Sequence, residues 1–220
     1  MRIDTIALDD VLPDVFASAA GDASVLDSDV WLSGVTFNRP GIYRIEAESG
    51  TGKSSMCSFI YGNRSDYRGR ILFNGRDIRS FSVKEWCDMR VSHIALLPQE
   101  MRLFPELTVT ENIEIKNRLT SFKTRDEITA MLERLEIADK ADEPAARLSI
   151  GQQQRVAIVR SLCQPFDFLL LDEPVSHLDA RNNTLVSQLI LDEVNRQDAA
   201  VIATSVGYAI DIDPVKVLSL

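Results

Sequence analysis

One short segment constrains this chain more than any other. An alternating run at residues 42–47, with Tyr43, Ile45 and Ala47 on one face and Arg44 and Glu46 on the other, reads as a strand. It gives way at once to Ser49-Gly50-Thr51-Gly52-Lys53-Ser54, and a helical stretch follows through Met56, Cys57, Phe59 and Ile60. The two glycines permit backbone angles closed to other residues, so the chain turns tightly with successive N–H groups facing inward. The helix behind the turn adds the positive end of its dipole. A strand, a glycine turn and a helix in this order make a cradle for phosphate.

The octet from Ala47 to Ser54 fits the P-loop pattern except that Ala47 stands where a glycine is usual. That position ends a strand, and a methyl group there need not face a nucleotide. Ser49, Gly50, Thr51, Gly52 and Ser55 then belong to the phosphate-binding loop and the first helical turn. Lys53 would reach the β- and γ-phosphates and Ser54 would ligate Mg²⁺. A second element fits the same chemistry: the apolar strand Phe168-Leu169-Leu170-Leu171 runs into Asp172 and Glu173. At the edge of a parallel sheet Asp172 would hold Mg²⁺ through a water, and Glu173 would polarise the water that attacks the γ-phosphate. Alone, an Asp-Glu pair after a strand is more often a solvated turn. ATP and Mg²⁺ are the expected cofactors.

Around these motifs, strands alternate with helices. Residues 166–171 and 201–204 read as buried strands and 185–194 as a helix, so the expected fold is α/β with a mostly parallel sheet. Short strands and turns in the first 40 residues add a small antiparallel portion. The middle is different: Ile128, Met131, Leu132 and Leu135 recur at helical spacing, and Thr124 with Glu127 forms a capping box in front of them. The 220 residues are therefore expected to form one domain, with residues 1–102 and 151–220 as the core and about 103–150 as a helical insertion.

Composition narrows the partners. Lys plus Arg is 24 against 33 Asp plus Glu, a net charge of −9, which argues against a general grip on nucleic acid. Three cysteines without paired or metal-ligand spacing read as reduced thiols. No apolar run approaches the ~20 residues a membrane span needs.

Leu148-Ser149-Ile150-Gly151-Gln152 then resembles the signature motif of ATP-binding cassette (ABC) ATPases. Its companions stand in the family's order: the P-loop, Gln99 in Leu97-Pro98-Gln99-Glu100, the signature, the Asp172-Glu173 strand, and Ser176-His177-Leu178-Asp179, which resembles the D-loop. The resemblance runs over essentially the whole chain and implies a P-loop NTPase core with a helical ABC subdomain. Ser149 and Gln152 also form a capping box whose helix N-terminus suits an anion. In the family that anion is ATP held by a facing subunit, so two cassettes pair head to tail around two ATP molecules. The resemblance implies a second ABC subunit (in the simplest case an identical copy), a separate integral membrane permease, and a place at the cytoplasmic face of the cell membrane. It also implies that Gln99 touches Mg²⁺ and the attacking water, that Asp179 lies near the shared nucleotide, and that an upstream aromatic stacks on adenine, with Phe16 or Trp31 as candidates. The stretch at 104–113 resembles compact cassettes of the lipoprotein-release and macrolide-export type, where it helps seat a short permease helix.

Two departures bear on activity. Ile150 replaces a signature glycine, and Ser205 stands where the family's switch histidine contacts the γ-phosphate. A serine hydroxyl donates a hydrogen bond but reaches less far and carries no charge. The expectation is an ATPase with slow turnover, and the alternative is a regulatory ATP-dependent clamp that transports nothing.

Overall fold

The computed structural model describes residues 2–19 and 27–220, and the alternation of one strand sets its layering. β7 (Phe168–Asp172) is buried along its whole length. Phe168 and Leu170 join one apolar cluster, whereas Leu169 and Leu171 join another on the opposite side. The neighbouring β8 (Ala200–Ser205) divides in the same way, Ala200 and Ile202 against Val201 and Ala203. A sheet buried on both faces is the setting parallel strands require. β7 and β8 are central in a parallel sheet ordered β6-β7-β8-β3-β9, completed by β6 (Ile94–Leu97), β3 (Gly41–Glu46) and β9 (Lys216–Ser219).

One cluster gathers the antiparallel sheet, ordered β2-β1-β4-β5, from β1 (Thr5–Pro13), β2 (Gly34–Asn38), β4 (Tyr67–Phe73) and β5 (Arg76–Asp77). It also takes in α1 (Lys53–Ile60) and α2 (Val83–Ser92), through Met56, Phe59, Ile60 and Met89. The other cluster gathers α3 (Val109–Asn117), α4 (Arg125–Arg134), α5 (Ile150–Leu162) and α6 (Ala180–Gln197). α6 extends past the expected 185–194 because Asp179 caps its start and Asp198 closes its end in a left-handed turn. Between residues 103 and 150 the regular structure is helical: α3, α4, the 3₁₀ turns Ala138–Lys140 and Ala145–Arg147, and the first residue of α5. The expected capping boxes at Thr124/Glu127 and Ser149/Gln152 both form. Part of the 104–113 stretch is interior, with Val109, Asn112 and Ile113 buried and Phe104 half exposed.

A buried ion pair fastens the helical segment to α6. Lys123 Nζ lies 2.6 Å from Glu193 Oε1 with 1% and 11% of the two side chains exposed, and at the surface Arg134 reaches the neighbouring Asp192 at 2.6 Å. All three cysteines are free; Cys57 and Cys163 are buried and Cys87 is exposed. Burial, reinforced by the charge of Asp172, pushes the Cys57 thiol well above its usual value, and burial pushes Cys163 up to about 12. Both stay protonated and unreactive at neutral pH. Among the described residues no helix is long and apolar enough to cross a membrane.

Candidate functional site

The glycine turn has the predicted backbone. Gly50 and Gly52 take φ of 87° and 101°, a region costly for any residue with a β-carbon. At Gly52 a β-carbon would also stand 3.1 Å from the rings of Phe16 and Trp31. Trp31 is 2% exposed and donates its indole N–H to the Thr51 carbonyl at 3.0 Å, so it braces the loop from beneath and has no face free for stacking on a base. Phe16, on the 3₁₀ turn Asp14–Ala19, is only partly buried and borders the same glycine. The Thr51 hydroxyl turns back to the Glu48 carbonyl at 2.9 Å, and the Ser55 hydroxyl accepts from Arg64 at 2.9 Å.

Lys53 is 4% exposed, and its ammonium donates to the carbonyls of Glu48 (2.6 Å) and Ala47 (3.4 Å). Glu173 Oε1 stands 3.7 Å away. Gln99, just beyond β6, joins the two halves of the site: its Oε1 accepts from the Ser54 hydroxyl at 3.3 Å and its Nε2 lies 3.4 Å from Glu173 Oε2. These groups enclose a cavity of about 230 Å³ lined by Ser49, Gly50, Gly52, Lys53, Ser54, Ser55, Gln99 and Glu173. An adjoining cleft of about 170 Å³ shares Ser54 and Gln99 and brings in Asp172. A larger hollow of about 370 Å³ between α3 and α4 contains none of these groups, so chemistry rather than size locates the site.

The donors fit a divalent cation of the hard type. Ser54 Oγ, Gln99 Oε1 and the Asp172 carboxylate are all oxygens, the ligands Mg²⁺ accepts beside phosphate and water. Among the described residues no group of three or more His, Cys, Asp or Glu side chains gathers as a separate metal centre.

Asp172 is held by Thr204, whose hydroxyl donates to Asp172 Oδ1 at 2.9 Å and accepts the Glu173 N–H at 3.1 Å. The sequence carried no signal for Thr204, because the parallel register that sets Asp172 beside it joins residues 32 apart. Ser205, the next residue, is 4% exposed, pairs with Glu46 and accepts the Ala47 N–H at 3.3 Å; its side chain does not line the cavity.

Ser149, Gly151, Gln152 and Asp179 lie off the cavity too. Ser149 caps α5 together with Gln152. A β-carbon on Gly151 would stand 3.0 Å from the His177 carbonyl, so the glycine allows α5 to pack on the 176–179 loop. Ile150 is 52% exposed and does not crowd the chain's own interior. Asp179 Oδ1 accepts the Asn182 N–H at 2.8 Å, a bond that holds its carboxyl below the usual range. Gln154 went unread in the sequence, although a polar residue on the face shared by Ala157, Ile158 and Ser161 was a usable clue. It is 2% exposed and bonded to both Glu173 and His177.

The family model described as ABC transporter matches residues 34–176. The ABC transporter ATP-binding protein YtrE of Bacillus subtilis (strain 168) is 36% identical over 156 residues, 70% of this chain and 67% of that one. The sulfate/thiosulfate import ATP-binding protein CysA of Anthoceros angustus is 40% identical over 134 residues, which are 60% of this chain and 34% of that longer relative. Among solved structures, a dimer of the ATP-binding cassette MJ0796 in a post-hydrolysis state with ADP and Pi superposes with a TM-score of 0.73. It is 24% identical and the match covers 98% of this chain and 94% of that one, a likeness of fold. With the phosphate loop, the paired carboxylates and the capped signature helix all in place, the chain belongs to the ABC transporter family as an ATP-binding, ATP-hydrolysing subunit.

Proposed function

We propose that two copies of this chain close head to tail on two ATP molecules, each bound by the phosphate loop of one copy and the N-terminus of α5 of the other. The observation that carries this reading is a separation. One chain holds two anion-ready elements, yet none of Ser149, Gly151 or Gln152 lines the cavity built by Lys53 and the glycine turn. A second copy related by a two-fold axis brings the missing element to each site.

Within one site the loop N–H groups and Lys53 hold the β- and γ-phosphates, and Phe16 stacks on the base. Ser54 and Gln99, with Asp172 behind them, would hold Mg²⁺, which supplies neutralising charge to the phosphates. Glu173 takes the proton of the attacking water, and Gln99, between Ser54 and Glu173, orients that water. Closure on ATP and opening after hydrolysis drive a separate membrane permease, against which the chain sits peripherally at the cytoplasmic face. The Ser205 side chain is too short to reach the γ-phosphate and does not line the cavity, so turnover is slow.

Replacing Glu173 by Gln removes the base and spares the binding groups. Gel filtration of that variant with ATP and Mg²⁺ is expected to give a dimer; a monomer at saturating ATP would refute the shared site. Ser205→His is expected to raise turnover by up to about 10²-fold, the scale of one donor aimed at developing charge, and an unchanged rate would remove Ser205 as the cause of slowness.

A further inference from the structure

Glu173 is placed by its backbone. Its φ of 51° is left-handed, an uncommon state for a residue with a side chain, and it persists where neighbours hold it. On one side the Glu173 N–H is taken by Thr204. On the other its carbonyl accepts from Ser176 Oγ and from Gln154 Nε2, each at 3.2 Å. Gln154 is one turn into α5, the helix whose first turn is the signature, and it is 98% buried. The other end of the same amide accepts the His177 N–H at 3.1 Å. One side chain therefore joins α5 to the residue bearing the general base and to the loop that leads into α6. The close approach at Gly151, 3.0 Å from the His177 carbonyl, leaves little slack between these segments.

We infer that Gln154 is a positioning residue that links the attitude of α5 to the placement of the Glu173 carboxylate. A helix whose N-terminus is engaged by nucleotide on the partner copy then sets the base of its own site. The amide is suited to this: it donates to one backbone group and accepts from another, it is shielded from water, and it carries no charge. The inference rests on the shared-site reading proposed above.

Two variants test it. Gln154→Met keeps the length and apolar stem and loses both bonds. Gln154→Glu keeps the acceptor for His177 but, while ionised, offers no donor to the Glu173 carbonyl. Both are expected to lower kcat about ten- to a hundredfold with KM for ATP within twofold, because a small displacement of the base costs rate and not binding. The glutamate variant carries a second signature. Protonation restores a donor of the right shape, so its kcat relative to wild type is expected to rise between pH 8.5 and pH 6, a recovery that loss of folding would not produce. A folded Gln154→Met with wild-type kcat overturns the inference, as does a flat kcat ratio across pH for Gln154→Glu. A wild-type protein that hydrolyses ATP without forming a dimer refutes the shared site, whereas normal dimerisation and turnover beside an unaffected Gln154→Met refute only this inference.

Discussion

Among the described residues two lysines are buried, each facing a glutamate, and their geometries differ. Lys123 meets Glu193 at 2.6 Å, with the Phe122 ring 5.3 Å from its ammonium. Lys53 stands 3.7 Å from Glu173 and gives its hydrogen bonds to backbone carbonyls of its own loop. The first pair is closed and fastens the helical segment to α6. The second is open on a cavity, so the ammonium can exchange these modest partners for phosphate oxygens. Burial alone does not separate the closed pair from the open one; the distance and what else the lysine touches do.

The largest expected effect tests that difference at the open pair. Lys53→Met is expected to lower ATP turnover by at least about 10³-fold, read in steady-state assays, while moving the melting temperature only a few degrees. An equal loss of stability at both lysines would break the comparison. Next, Lys123→Met leaves Glu193 with Arg196 alone, 2.7 Å from its other oxygen, and is expected to cost about 1–3 kcal/mol in urea unfolding, and the double variant Lys123→Met/Glu193→Leu to recover much of it. ATP turnover per folded molecule should stay near wild type.

A smaller effect concerns the groups behind the site. Thr204→Val removes the hydroxyl shared by Asp172 and the Glu173 N–H, and is expected to lower kcat about tenfold at little cost in KM. The smallest comes from an exposed pair that extends the comparison to the surface. Arg76, with the Ser82 cap, holds the Glu85 carboxyl down to about 2. A depressed carboxylate contributes stability above its unfolded value, near 4.5, and loses it as pH falls towards 2. Glu85→Gln should therefore flatten acid unfolding between about pH 4.5 and pH 2, with no change at pH 7 in its slope.

The local features were the legible ones. The left-handed glycines at 50 and 52, the capping boxes at Thr124 and Ser149 and the buried strand before Asp172 are each set by neighbours within a few residues. Their motifs sufficed to point to the cavity lined by Gly50, Gly52, Lys53 and Glu173. What stayed hidden depends on contacts across the sheet or between helices: Thr204 behind Asp172, Gln154 beneath Glu173, Trp31 under Thr51. Each is a polar group whose partner lies some twenty to thirty positions away, and no local pattern encodes that pairing. Trp31 shows the consequence, since order along the chain left it open as a stacking ring and its burial assigns it to the support of the loop.

That buried indole also turns the molecule into its own optical gauge. The sequence has two tryptophans, and Trp86 does not line the candidate cavity but packs among Phe73 and Phe81. With Trp86 replaced by phenylalanine, all remaining tryptophan emission would come from a ring hydrogen-bonded to the glycine turn. Any ligand that reshapes the turn would then announce itself in the spectrum, with no label attached.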